Sequence, residues 1–449
     1  METEPTDGVL AAPVLGRTTL TVTVVRAVWR ALSFVVLILV ARAMDVDPFG
    51  DFIYAVSWLF ILQIPATIGV PFASLRYASE YRTTESWGRL RGFLTWSTVV
   101  IAVGSIIVSA IFVGWVWLFG DGLSDSLRTT FLVTAMVLPF VGLSDLVFNV
   151  MRTRGSLIIP EFLSGSRPLF LGGALVVVWV TGAQLTAPWA MVVHGLFVAA
   201  GLGVALVLVS RTFRPELRGV ESVYESRAWF RTSLPMFGTA TLNAALQRTD
   251  IVMVGIFIGT AETGFYRGAV GIAEIAVFGL ASVVTVVGPT LAGLNATDDK
   301  AQLRSTVRRS AVIGFALTIP AVVGIAVLGG PVLRLFGPEF DVAYRALLIL
   351  SAAQIVNALA GPVGILLFMV GRERTVTKGF AVWAAVNVLL NLALIPPLGI
   401  EGAAIGTAAS SAGLYVSLAV ASIRGVGVNP TIFRSLDRWA EKVEAEPEA

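Results

Sequence analysis

About a dozen apolar stretches between residues 19 and 424 are each long enough to cross a bilayer, and nearly all the Lys and Arg between them fall in every second loop. A hydrocarbon core of ~30 Å takes roughly 20 helical residues to span. This alternation leaves little chain for anything outside the membrane. Only 14% of the 449 residues are charged and mean hydropathy is +0.83, whereas a soluble domain carries roughly 25% charged residues. A large soluble core is therefore a poor reading. Function has to reside within a bundle of membrane helices.

Apolar runs read against turn and charge punctuation predict helices near 19–41, 52–75, 93–118, 130–150, 157–180, 188–210, 233–258, 265–289, 310–329, 346–370, 379–396 and 402–424. Loops 76–92, 151–156, 211–232, 290–309 and 371–378 hold eighteen Lys and Arg, and the alternate set holds four: Arg42, Arg128, Arg334 and Arg345. The positive-inside rule places the first set, and with it both termini, in the cytoplasm. Met1–Leu15 has three acidic residues and no Lys or Arg, so it does not read as a cleavable signal. The expected organisation is a cytoplasmic segment 1–18, a six-helix bundle 19–210, an amphipathic linker 211–232 on the membrane surface, a second six-helix bundle 233–424, and a cytoplasmic tail 425–449. In that tail Ile432, Phe433, Leu436 and Trp439 recur at helical spacing.

The two halves read alike. Asp47-Pro48-Phe49-Gly50-Asp51-Phe52 precedes a helix containing Pro71, and Glu262-Thr263-Gly264-Phe265-Tyr266 precedes one ending at Pro289. Met151-Arg152-Thr153-Arg154 matches Met369 to Arg374. Six helices per half make these parallel repeats, related by an axis along the membrane normal. Two such bundles form a cleft at their interface, and rocking them exposes it to alternate sides.

The second half carries the most distinctive text. Arg248-Thr249-Asp250-Ile251-Val252-Met253-Val254-Gly255 leads into Gly264-Phe265-Tyr266-Arg267-Gly268-Ala269. Gly371-Arg372-Glu373-Arg374, Asn387 to Pro396, and Gly399-Ile400-Glu401-Gly402-Ala403-Ala404-Ile405-Gly406-Thr407 follow. This series resembles the polysaccharide (Wzx-type) flippases of the multidrug/oligosaccharidyl-lipid/polysaccharide exporter superfamily. The resemblance implies movement of a polyprenyl-phosphate or -pyrophosphate glycan from the cytoplasmic to the outer leaflet of the cell membrane by alternating access. It implies glycan-assembly enzymes as functional partners. Many members of that family have fourteen helices, against the twelve read here.

Ionisable groups at membrane depth cost about 2.5–3.5 kcal/mol and tend to be functional. Arg26 and Arg30 share a face of the first helix, and Arg248 lies on its counterpart in the second half. Guanidinium groups bind phosphate bidentately, so these three are candidate substrate-binding groups. Pairing with acidic residues between helices is the alternative. Asn243 and Gln247, and Asn387 and Asn391, pair at helical spacing and can contact sugar hydroxyls or bond between helices. Asp145, Asp250 and Glu274 are candidate proton or Na⁺ coupling groups. Glu161 lies near Arg154, and the single histidine, His194, reads as structural.

The absence of cysteine removes thiol, disulfide and Cys-based zinc chemistry. No cofactor or resident metal is expected, no nucleic-acid patch is apparent, and no GxxxxGK[ST] motif occurs. A second reading is a cation-coupled small-molecule exporter of the same superfamily, which a positive cleft opposes for cationic drugs. A membrane-embedded glycosyltransferase or polymerase would need an acidic metal cluster or catalytic base on a sizeable loop. The short loops argue against it, so no enzymatic activity is expected.

Overall fold

The structure, a computed structural model, describes residues 12–153, 158–165, 172–173, 175, 184–297 and 299–437. Those residues form helices and no strand. Helices α1 (Ala12–Ala43), α2 (Val46–Thr67), α3 (Val70–Thr83), α4 (Trp87–Phe119), α5 (Asp125–Arg152), α6 (Ile158–Gly165) and α7 (Ala187–Leu217) make the first bundle. Helices α8 (Ser226–Phe257), α9 (Thr260–Ala296), α10 (Lys300–Arg334), α11 (Tyr344–Ala360), α12 (Val363–Met369) and α13 (Glu373–Val426) make the second. Among the described residues, eight segments are individually long and apolar enough to cross a membrane.

The helices follow the expected order, with two differences of local chemistry. The second span is broken at Ile68–Gly69 into α2 and α3, because the α2 carbonyls are capped by a left-handed Ile68. The tenth breaks at Gly361–Pro362 into α11 and α12. The expected turn at Leu394–Gly399 is present within α13, where Gly399 at φ 63°, ψ −141° reverses the chain. No residue with a Cβ enters that conformation cheaply. Most of the fifth span lies outside the described residues.

Each set of loops gathers at one end of the bundle. At the arginine-rich end Arg82 donates to the Thr153 carbonyl and Val223 N donates to Gly88 O at 2.9 Å. At the opposite end Arg42, closing α1, donates to the carbonyls of Arg334 and Leu335 at 2.7 Å. There it satisfies two of the orphan carbonyls that end α10.

The expected surface linker 211–232 is mostly helical, since α7 runs to Leu217 and α8 starts at Ser226. Trp229, read as a membrane-surface residue, is fully buried. It packs on Phe93 and Trp96, and its indole N–H donates to Tyr81 at 2.9 Å. Buried there, the ring's one polar handle still has a hydrogen-bond partner. The tail after Val426 folds back. Asn429 and Thr431 are buried, Ile432 N donates to Leu359 O at 3.4 Å, and Asp437 pairs with Arg308 at 3.5 Å. Phe433 stays exposed, Leu436 ends a single 3₁₀ turn, and Trp439 lies outside the described residues.

The bundles meet mainly through α2 against α9 and α8, the second helices of the two repeats lying face to face. One apolar core runs continuously through both lobes at the end opposite the arginines. Phe49 and Phe340 rings lie 5.9 Å apart, Phe265 and Phe340 5.0 Å, and Phe34 and Phe336 5.8 Å. Backbones touch at Gly50, where any Cβ would collide with the Thr260 carbonyl. The buried Asp51 lies beside Ser124 and Ser126 of its own lobe and Thr260 of the other, where the two lobes meet.

Candidate functional site: a cationic cleft between two lobes

The cleft is built where α1, α2, α8 and α9 converge. On α1, Arg30 Nη2 lies 2.7 Å from Glu274 Oε2 of α9. Its neighbour Arg26 belongs to the same helix face, but its side chain lies outside the described residues. On α8, Arg248 stands with its guanidinium carbon 4.8 Å above the ring of Phe60 from α2, a cation–π contact. Among the described residues Arg248 makes no ion pair or hydrogen bond. The charges that act on it are those of Arg267, Glu274, Asp250 and Arg30.

Arg267 on α9 is the group the sequence reading missed. Its Nη1 is buried and has no hydrogen-bond partner. The predicted eighth helix starts at 265, which puts Arg267 at a membrane edge. The observed α9 starts at Thr260, two turns earlier than Arg267, so the side chain enters the bundle about 10 Å from the helix start. The signal available was the spacing of Arg267, Gly271 and Glu274, which share one helical face.

Beside Arg248 a cavity of about 350 Å³ opens into the first lobe, lined by Ser33, Phe60, Gln63, Ser164 and His194. That volume is within the range of ligand pockets. Gln63 Nε2 donates to Asp145 Oδ2 at 2.6 Å, so Asp145 holds the amide of a residue that lines the pocket. His194 faces the same cavity, which differs from a histidine packed in an apolar interior. Glu161 pairs with Arg152 at 3.2 Å, whereas Arg154 lies outside the described residues.

Asn387 and Asn391 do share a face, but the structure places them in a packed cluster of the second lobe and not on the cleft wall. Both are buried, with Asn391 Nδ2 donating to Asn387 Oδ1 at 3.0 Å and Asn387 Nδ2 to Thr407 Oγ1 at 3.4 Å. The chain ends on Asp250. Its Oδ2 accepts from Thr407 at 3.0 Å and from Tyr266 at 2.8 Å, and its Oδ1 accepts from Ile251 N at 2.8 Å. Periodicity places two amides on one face without saying which neighbouring helix covers it, and here α8 and the second half of α13 do. Asn391 Oδ1 has no donor. Gln247 is exposed on α8, and the Asn243 side chain lies outside the described residues.

An all-helical polytopic membrane protein of two lobes, with a cationic cleft between them, has the architecture of a two-lobe membrane transporter. The chain belongs to the polysaccharide biosynthesis protein family, whose model matches residues 15–295. It is 24% identical over 390 residues, 85% of this chain and 78% of the other, to a probable low-salt glycan biosynthesis flippase, Agl15, of Haloferax volcanii. Its fold is similar to that of lipid II flippase MurJ in an inward closed conformation, with a TM-score of 0.72 at 13% identity over 90% of this chain and 87% of that one. It is also similar to an inward-facing multidrug resistance MATE family transporter of the MOP superfamily. There the TM-score is 0.71 at 11% identity over 95% and 100% of the two chains. The multi-pass, two-bundle fold is thereby established.

Proposed function

We propose that this protein is a flippase that carries a lipid-linked oligosaccharide from the cytoplasmic to the outer leaflet by alternating access. The observation that carries the reading is the charge balance of the cleft. Arg30, Arg248 and Arg267 converge there, and Glu274 is the one carboxylate paired with any of them among the described residues. Uncompensated cations at membrane depth are costly, and a phosphate or pyrophosphate head group supplies the missing anion in the bidentate geometry guanidinium prefers. The flippase relatives and the family support the same reading.

In this proposal the phosphate sits among the three arginines, the adjoining sugars extend toward Gln63 and His194, and the polyprenyl tail stays in lipid. Loading from the cytoplasm is supported by the charge of the loops and by the packed seam at the other end of the bundle. Asp250 is our candidate for the coupling cation. It is surrounded by oxygen donors, with the Asn391 carbonyl oxygen still unused, and membrane-buried carboxylates of this kind carry H⁺ or Na⁺. A drug exporter for cations is disfavoured by the positive cleft. No bond-making step is assigned to the protein.

Deletion of the gene tests the proposal directly. A completed glycan on its lipid should accumulate at the cytoplasmic face, measured by mass spectrometry with glycosidase accessibility to assign the leaflet. Restoring the gene with Arg30→Ala and Arg248→Ala together should leave that pool in place while the protein inserts and folds. Normal surface glycan in the double variant would remove the cleft assignment, and a truncated glycan in the deletion would revive an enzymatic role.

A further inference from the structure

The ion pair between Arg30 and Glu274 joins α1 of the first lobe to α9 of the second. It uses one nitrogen and one oxygen, at 2.7 Å, and the two side chains are 59% and 36% exposed. Just beyond it Phe34 of α1 lies 3.6 Å from where a Cβ at Gly271 of α9 would stand, and Arg267 Nη1 lies 3.5 Å from that same point. The α1–α9 seam is thus held by a single-contact, partly exposed ion pair next to a guanidinium, that of Arg267, whose buried Nη1 has no hydrogen-bond partner among the described residues. Few other contacts join these two helices.

We infer that Glu274 is a resident counter-anion that the substrate's phosphate displaces from Arg30, so that head-group binding itself releases α1 from α9. The inference rests on the phosphate reading of the cleft. A partly exposed pair with one contact is weakly held. A phosphate offers Arg30 two parallel hydrogen bonds and also meets Arg248 and Arg267, which Glu274 leaves without a hydrogen bond. Two anions on one guanidinium repel, so occupancy by one excludes the other. Glu274 is only partly buried, so its release does not strand a fully buried carboxylate. The seam is closed by the carboxylate when the cleft is empty and freed when it is filled.

Purified full-length protein carrying Glu274→Gln should bind farnesyl diphosphate about threefold or more tightly than the native chain, the ratio set by removing a weak competing ion pair. Farnesol, the tail without phosphate, should bind both equally. A carboxylate that merely supported the helix packing would give equal or weaker diphosphate binding in the variant, and that result overturns the inference. A second measurement uses the cysteine-free chain. Oxidative bridging of a Phe34→Cys, Gly271→Cys pair should slow on adding farnesyl diphosphate. With Glu274→Gln added it should be slow from the start. A bridging rate indifferent to both overturns the inference while leaving the phosphate site standing. A native protein that binds the diphosphate no better than farnesol overturns the phosphate reading itself, and the inference with it.

Discussion

Among the described residues, Arg248 has no ion pair or hydrogen bond and rests on the face of Phe60, and Arg267 buries a nitrogen with no hydrogen-bond partner. Removing a group that has no internal partner takes away no native hydrogen bond. Arg267→Ala should therefore leave the melting temperature in detergent unchanged or raise it. The same variant should weaken diphosphate binding about 10- to 100-fold, the ratio for one lost charge-assisted hydrogen bond. Loss of both stability and binding would make Arg267 a structural residue. Arg30, Arg248, Asp250 and Glu274 were legible in the sequence because a charge in an apolar run has few explanations. Arg267 was not, because its depth depends on where α9 begins, and helix boundaries are the part of a sequence reading that fails first. The amides were legible only in part. Asn387 and Asn391 share a face as their spacing requires, but Thr407, folded back across Gly399, claims that face for Asp250.

At the level of elements, α8 connects the lobes. Its first turns pack against α3 in the first bundle, and its later turns against α13 in the second. The first anchorage is a chain of hydrogen bonds. Trp229 donates to Tyr81, Tyr81 donates to Glu225 Oε2 at 3.2 Å, and Glu225 Oε1 meets Arg89 at 2.9 Å. Burial raises the Tyr81 pKa above its ordinary value near 10, so the phenol stays protonated and can donate and accept at once. Trp229→Ala, which empties a fully buried site, should destabilise the protein by about 3–5 kcal/mol. Tyr81→Phe strands the indole N–H and should cost about 1–3 kcal/mol. Both follow from thermal unfolding in detergent, and a Trp229→Ala protein as stable as the native one would show that α8 does not depend on this anchor. From the sequence, Trp229 and Phe230 among charges read equally well as a surface helix. Only the packing of α3 against α4 creates the slot that takes one ring and leaves the other exposed.

The whole molecule is two similar bundles that touch closely at one end, with Phe49, Phe265 and Phe340 interleaved and Gly50 set backbone to backbone on Thr260. The order of spans, the loop alternation and the two-fold repeat were all legible, because a bilayer admits so few ways of satisfying a polar backbone. The seam was not, because it depends on Gly50 lacking a Cβ, and a glycine in a sequence does not disclose what approaches it. Alternating access requires this seam to part once in each cycle. A Cβ at Gly264 would stand 3.0 Å from the Phe49 ring, so Phe49→Cys with Gly264→Cys places two thiols across the seam in a chain with no other cysteine. Oxidation should lock that end shut and stop glycan export in membrane vesicles, and dithiothreitol should restore it, with each single variant indifferent to both treatments. Diphosphate binding to the oxidised protein should persist, since the arginines lie on the other side of the lock. Export that continued through an intact bridge would mean the substrate crosses without opening this end, and the two-lobe rocking mechanism would have to be abandoned for this protein.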